Sequence, residues 1–245
     1  MSSIPRPQPR LQPATIVSEQ QKFPNVLVLS GEIPQTMFAG GIVLHRLLSG
    51  YPKDRLLVIG QPPHPEARLL DCPYRFLQTP LRRLEKTRFS CHKKSLAAMG
   101  LVPLPCRRTI AKLIGDFRPD VVLCVMTGTP WLLTARRTAR ELGVPLVLIV
   151  HDINEEFEKV FPWAKDALFR RNRDVYRSAA RRLCVSPEMA AFLEKRYGVP
   201  GEVMYPNRSE ELQPRPLEMS LTLRAEVAGA TPEVRRKEIV DGNEV

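Results

Sequence analysis

Short apolar runs separated by helix-length segments recur along most of this chain, and this alternation constrains its fold more than any other feature. The five clearest runs are NVLVLS (25–30), RLLVIG (55–60), DVVLCVM (120–126), PLVLIV (145–150) and RLCVS (182–186). YRFLQT (74–79) is a weaker candidate and EVMY (202–205) a short last one. Near-continuous apolar runs are typical of strands covered on both faces. The alternation predicts an α/β fold: a doubly wound, mostly parallel, Rossmann-like sheet with helices on both faces.

The segments between these runs predict six helices. They are expected at about 40–49, 80–99, 105–117, 129–142, 162–181 and 187–197. Ser186 provides an N-cap and Pro187 a proline at the first helical position, which together favour a helix start. Gly143 and Gly198 are placed to end two of the helices.

The ends of the chain differ in composition from residues 24–207, which form one predicted domain. Residues 1–23, rich in Pro and Gln, predict a disordered leader without the apolar centre of a signal peptide. Residues 208–245 predict a polar tail. No apolar stretch approaches the roughly 20 residues of a membrane-spanning helix. The five cysteines form no C-x-x-C pair, and Cys124 and Cys184 lie in apolar runs. We therefore expect a reduced, cytoplasmic protein without disulfides or bound metal.

An excess of basic residues predicts an anionic partner. The formal charge is +11, and 81–96 carries six Lys or Arg against one Glu. Helical spacing places further arginines of 169–182 on one face. Such faces suit anionic lipid headgroups, although a merely solvated helix face explains the same pattern. Nucleic acid is not expected, because no recognition motif or aromatic ladder for bases accompanies the charge. The proposed membrane-surface residues are Arg82, Arg83, Lys86, Arg170, Arg173, Arg177 and Arg181.

Two polar residues end the apolar run 145–150, where ligands of doubly wound sheets bind. His151 and Asp152 suit an acid–base pair, a metal site or a substrate clamp. Capping and hydrogen bonding within the loop explain them equally well. Because adjacent residues of an extended strand point to opposite faces, the two side chains are not expected to reach the same atom, which weakens the metal interpretation.

A Gly40–Gly41 pair follows the loop after the first strand and opens a predicted helix. Backbone without side chains at a helix N-terminus can approach a phosphate, although a tight loop-to-helix turn needs the same residues. The segment is neither G-x-G-x-x-G nor a P-loop with its lysine. The missing dinucleotide fingerprint also argues against a Rossmann-type oxidoreductase, which is one further function that the predicted fold allows.

Three ordered segments carry a resemblance to a known family. They are NVLVLSGEIPQTMFAGG, FRPDVVLCVMTGTPWLLTARRTARELGVPLVLIVHD and RSAARRLCVSPEMAAFLEKRYGVPGEVMYPN. Their order is a strand followed by a loop and Gly-Gly, then R-P-D before a strand, a strand ending in H-D, a strand ending in Ser, and a closing P-N. Residues 25–207 thus resemble the N-terminal, acceptor-binding domain of a GT-B fold glycosyltransferase of the family 4 type.

The resemblance implies a reaction and roles for individual residues. A sugar would pass from a nucleotide sugar to an acceptor hydroxyl on a lipid or saccharide, usually with retention and without a required metal or other cofactor. His151 would be catalytic, touching the donor sugar at the reaction centre. Gly40 and Gly41 would approach the donor diphosphate, and Asp152 and Ser186 would lie in the substrate cleft. Basic helices in such enzymes often dock on membranes, which implies a cytoplasmic protein peripheral to the membrane.

The resemblance also implies a second, donor-binding domain beginning near Asn207. Only 38 residues follow Asn207, so we expect the tail to be a truncated start or a remnant of that domain. Transfer is then expected only when a partner chain or further domain supplies the donor site. The alternative is a non-catalytic α/β module that binds an anionic membrane surface or a protein partner.

Overall fold

A computed structural model describes residues 23–77, 87–153 and 159–205, so most of the predicted leader (1–23) and all of the predicted tail (208–245) lie outside the described residues. The described strands form one sheet in which every pairing is parallel. The strands are β1 (Val26–Ser30), β2 (Leu56–Gly60), β3 (Tyr74–Phe76), β4 (Val121–Val125), β5 (Leu146–Val150), β6 (Arg181–Cys184) and β7 (Glu202–Val203). Their order across the sheet is β3-β2-β1-β4-β5-β6-β7.

The described helices lie between these strands. They are α1 (Ala39–Leu48), α2 (Ser90–Met99), α3 (Arg107–Ile114), α4 (Thr129–Leu142), α5 (Lys165–Ser178) and α6 (Pro187–Tyr197). Short 3₁₀ turns precede β2 at Lys53–Arg55 and α5 at Pro162–Ala164. Within the described part of the chain, no helix has the length and apolar character needed to cross a bilayer. The predicted α/β fold with a doubly wound parallel sheet is confirmed.

Local signals account for several helix ends. Ser186 Oγ accepts a hydrogen bond from the Met189 amide, which caps α6 as predicted. Gly143 and Gly198 adopt left-handed φ angles of 69° and 74° immediately after α4 and α6. A residue with a Cβ is strained in that conformation and glycine is not, so the two glycines end the helices at the predicted positions.

Three predicted helices were too long, and one of them, 105–117, is observed only as α3 (Arg107–Ile114). The segment 162–181 begins with a 3₁₀ turn, and its α-helix ends at Ser178 because Ala179 is extended (φ −69°, ψ 141°) and leads into β6. Within the described part of the segment 80–99, residues 87–89 form a turn and α2 begins only at Ser90. Helical periodicity alone extended these predicted helices into neighbouring residues, whose side chains are compatible with either a helix or a turn.

Alternate strand residues face two apolar cores. In β5, Leu148 packs with α4, α5 and α6, whereas Ile149 packs on the opposite face, where α1 lies. Both side chains are fully buried. Because both faces are covered, the strands read as continuous apolar runs rather than as alternating ones. Cys124 and Cys184 are buried in the first of these cores, as their apolar surroundings in the sequence predict.

The direction in which strands are added reverses between β1 and β4. From β1 the sheet extends through β2 to β3 on one side and through β4 to β7 on the other. Two neighbouring strands whose connections leave in opposite directions open a crevice at their carboxyl ends. The loops after β1 and β4, and the segment after β5, therefore surround the position where a ligand is expected.

Candidate functional site

His151 and Asp152 contact each other at the carboxyl edge of the sheet. The His151 side chain is only 7% exposed, and its Nε2 lies 3.2 Å from Oδ2 of Asp152, which is 44% exposed. His151 Nδ1 is buried and has no hydrogen-bond partner among the described residues. The Nε2 contact with a carboxylate favours a tautomer with the proton on Nε2, which leaves a lone pair on Nδ1. This unsatisfied acceptor marks a place where a ligand hydroxyl can donate.

The prediction that His151 and Asp152 point apart was wrong. It assumed that the strand continues through both residues, but β5 ends at Val150 and the next two residues form a bend. A bend turns successive side chains toward each other, whereas a strand separates them. No group of three potential metal-ligating side chains occurs within the described ranges.

Glu32, which the sequence analysis did not single out, completes the cluster. It follows β1 by two residues, and its amide donates to Ser30 Oγ over 3.3 Å. Its Oε2 is buried without a hydrogen-bond partner in the described part of the chain. A Cβ added at Gly40 would collide with this oxygen and would lie 2.8 Å from His151 Cε1. The carboxylate and the imidazole therefore face the same point.

Gly40 and Gly41 lie in the first turn of α1, where larger residues do not fit. A Cβ at Gly41 would lie 2.7 Å from Gln35 Cγ and 3.0 Å from the carbonyl oxygen of Ile33. Phe38, immediately before the helix, has a φ of 63°, which is a strained conformation for a residue with a side chain. Close packing thus explains the glycine pair, as the tight-turn interpretation proposed, and it also leaves their amides facing the cluster.

Burial dominates the electrostatics of Glu32. Desolvation raises the pKa of its carboxyl group, and the charge of Asp152 raises it further. His151 and the backbone amides of Gly41 and Gly40 act in the opposite direction, and the net result is a pKa above the ordinary value. A carboxyl group with this balance holds its proton at a higher pH than an exposed glutamate does.

A third unsatisfied polar group lies at the same edge of the sheet. Trp131, near the start of α4, is buried, and its Nε1 has no hydrogen-bond partner among the residues that the structure describes. A Cβ at Gly31 would lie 3.0 Å from this nitrogen, which places the indole beneath the loop that carries Glu32. Buried polar atoms without partners cost about 1–3 kcal/mol each, so their concentration where loops from β1, β4 and β5 meet indicates a binding site.

Comparison with protein families agrees with this geometry. Residues 51–206 match the family model described as Glycosyltransferase Family 4, and this match covers more than half of the chain. The chain belongs to glycosyltransferase family 4. His151, Asp152 and Ser186 lie inside the matched region, whereas Glu32, Gly40 and Gly41 precede it. No characterised protein matches the chain closely enough to be named as a relative.

Ser186 makes its hydrogen bond to its own helix rather than to the cluster. In this family 4 domain its Oγ caps α6, so the hydroxyl already has a structural partner. Ser186 follows β6 and so lies at the carboxyl edge of the sheet. Its contact with a substrate stays a prediction.

The predicted basic helix face is only partly present. Arg170, Arg173 and Arg177 lie on α5 at the expected spacing. Arg181 does not, because it begins β6 and its Nε donates to Glu202 Oε1 over 2.9 Å. Arg82, Arg83 and Lys86 lie outside the described residues.

Proposed function

We propose that this domain is the acceptor-binding half of a family 4 glycosyltransferase, which moves a sugar from a nucleotide sugar to a hydroxyl of a lipid or saccharide once a donor-binding domain completes the cleft. The observation that carries the proposal is the buried imidazole of His151, held by Asp152 and left with a free acceptor at the carboxyl edge of the sheet. Membership of the family supplies the reaction class.

Each residue of the cluster then has a role. His151 Nδ1 accepts a hydrogen bond from a sugar hydroxyl, and Asp152 fixes the imidazole in the orientation and tautomer that this needs. Gly40 and Gly41 present amides at the N-terminus of α1 to the donor diphosphate, whose departure leaves negative charge on oxygen. Fixed dipoles that face the developing charge lower the barrier without reorganising during the reaction.

The first test is nucleotide-sugar binding by calorimetry on the purified chain, with UDP- and GDP-sugars. We expect no micromolar binding by this chain alone, because the proposal assigns most donor contacts to a second domain. Adding the donor-binding domain should produce nucleotide-sugar binding, and adding a hydroxyl acceptor as well should release nucleoside diphosphate as the sugar passes to that hydroxyl. Micromolar binding without the donor-binding domain would contradict the assignment of the donor contacts to that domain.

A second candidate function, docking on an anionic membrane surface, is favoured by one specific observation. Phe89, His92, Leu96 and Met99 recur at helical spacing on and just before α2, and all four side chains are exposed. Leu101, which follows the helix, is 67% exposed. An exposed helical stripe of large apolar side chains is typical of an interface rather than of a solvated surface.

Aromatic and basic side chains extend this stripe. The ring of His92 packs edge-on to Phe161 at 4.8 Å, and Phe161 stacks at 6.0 Å on Trp163, which is 58% exposed. Arg88 lies over the ring of Phe89, with 5.0 Å between the guanidinium carbon and the ring centroid. Exposed tryptophan beside cationic groups suits the headgroup region of a bilayer.

Replacing Trp163 by Ala should weaken binding to phosphatidylserine-containing vesicles about tenfold, which corresponds to ~1.4 kcal/mol. Phe192→Ala on α6 removes an exposed ring away from the stripe and should leave binding unchanged. Because Trp131 is buried, a blue shift of tryptophan emission on vesicle addition reports Trp163.

High salt should reduce the binding to vesicles, since surface charges are screened. Indifference to vesicles combined with tight binding to duplex DNA would overturn membrane docking.

A further inference from the structure

The N-terminus of α1 is occupied by a side chain from another part of the chain. No side chain of its own N-cap residue, Phe38, bonds the first turn, and that turn contains no acidic residue. The Glu32 carboxylate lies there instead, because a Cβ at Gly40 would overlap its Oε2, and the nearby amides of Gly41 and Gly40 act to lower the pKa of this carboxyl group. A helix N-terminus attracts anions, and here the anion belongs to the protein.

A second observation shows that this position is built for more than a cap. His151, more than nine-tenths buried, directs its Cε1 edge to within 2.8 Å of the same point and leaves its Nδ1 unpartnered among the described residues. Glu32 Oε2 is also buried without a partner there. A simple internal cap would satisfy its carboxylate, whereas this arrangement leaves polar atoms of both residues available to a ligand.

We propose that Glu32 occupies the anion position of the Gly40 and Gly41 amides, and that a phosphate-bearing ligand binds there only when Glu32 is protonated. The inference rests on the proposed function, because the phosphate in question is that of the sugar donor. Glu32 then determines whether the site accepts a phosphate, and ligand binding takes up one proton.

The charges around Glu32 support this linkage. His151 and Asp152 face it from the segment after β5, α1 contributes amides only, and residues 126–131 between β4 and α4 carry no charged side chain. Ionised Glu32 and a phosphate on the same two amides would repel each other in a partly dehydrated site. Burial already raises the pKa of Glu32, and an adjacent phosphate would raise it further. Phosphate affinity should therefore fall as pH rises through the Glu32 titration.

The linkage can be measured with inorganic sulfate, a divalent anion whose charge does not change from mildly acidic to alkaline pH. The readout is the amide NMR shifts of Gly40 and Gly41, which separate this site from other sulfate binding to a basic protein. We expect wild-type affinity to fall with rising pH. At neutral pH, Glu32→Gln should bind sulfate at least about tenfold more tightly and with a shallower pH dependence, because the competing carboxylate is absent.

Glu66→Gln, which neutralises an exposed glutamate outside the cluster, should behave as wild type. Glu32→Ala provides a second variant that also removes the competing charge, and thermal unfolding verifies that both variants fold. Equal sulfate affinity and equal pH slopes in wild type and both Glu32 variants would overturn the proposal, and so would the absence of sulfate-dependent shifts at Gly40 and Gly41 in all of them. Sulfate requires no donor domain, so these outcomes are independent of whether sugar transfer itself is observed.

Discussion

His151→Ala should lower the rate of sugar transfer by at least about 100-fold, the usual range for losing a positioned histidine at a reaction centre. The buried imidazole presents an unpartnered acceptor, Nδ1, to the cleft, and Asp152 contacts its other nitrogen. Because Nδ1 makes no hydrogen bond to the described residues, removing the imidazole should change the free energy of unfolding by no more than about 1 kcal/mol. Release of nucleoside diphosphate from the assembled transferase measures the first effect, and thermal unfolding the second.

A second histidine provides the control that distinguishes a loss of transfer at the reaction centre from a general effect of losing an imidazole. His45 lies in the last turns of α1, away from the cluster, and His45→Ala should leave transfer unchanged. Asp152→Asn keeps the shape of the side chain but weakens its hold on Nε2, so its loss of activity should be smaller than that of His151→Ala. Equal transfer by wild type and His151→Ala would remove His151 from the mechanism and with it the observation that carries the proposed function.

The sheet was predictable because its strands are buried on both faces. Runs such as PLVLIV need no tertiary information to be recognised as strands of a parallel sheet, and the observed β5 differs from that run by one residue. Glycines with a left-handed φ marked the ends of α4 and α6 for a similarly local reason. Where no such local signal exists, as at the end of α5, periodicity extended the helix through Arg181 into a strand.

The candidate site was only half predictable. His151 and Asp152 stand out because they interrupt an apolar run, and the glycine pair because it opens a helix. Glu32 lies in a polar loop where a glutamate is ordinary, and only the approach of that loop to α1 and to the end of β5 gives it a role. The sequence signal that was available is its position two residues beyond a strand at the carboxyl edge. Contacts between segments more than a hundred residues apart have no local signature.

Tyr176→Ala should destabilise the domain by about 3–5 kcal/mol, the largest effect on folding that we expect from one side chain. Tyr176 is fully buried on α5, and its ring packs 5.1 Å from that of Tyr197 on α6. The guanidinium of Arg182 covers the ring at 5.6 Å, and the hydroxyl lies 3.9 Å from Cys184 Sγ in β6. Truncation would therefore open a cavity where two helices meet the sheet. Denaturant unfolding followed by circular dichroism measures the loss.

Tyr176→Phe separates the ring from the hydroxyl. It should cost less than about 1.5 kcal/mol, because the only described partner of the hydroxyl is a thiol, a weak hydrogen-bonding group. Burial raises the pKa of Tyr176, so the folded protein keeps this proton where the unfolded chain loses it, and stability should fall as pH rises above the ordinary tyrosine value of about 10. Tyr176→Phe removes that contribution, and its stability should decline less steeply above the same pH. A loss of several kcal/mol in Tyr176→Phe, or unchanged stability in Tyr176→Ala, would show that ring packing is not what stabilises this junction.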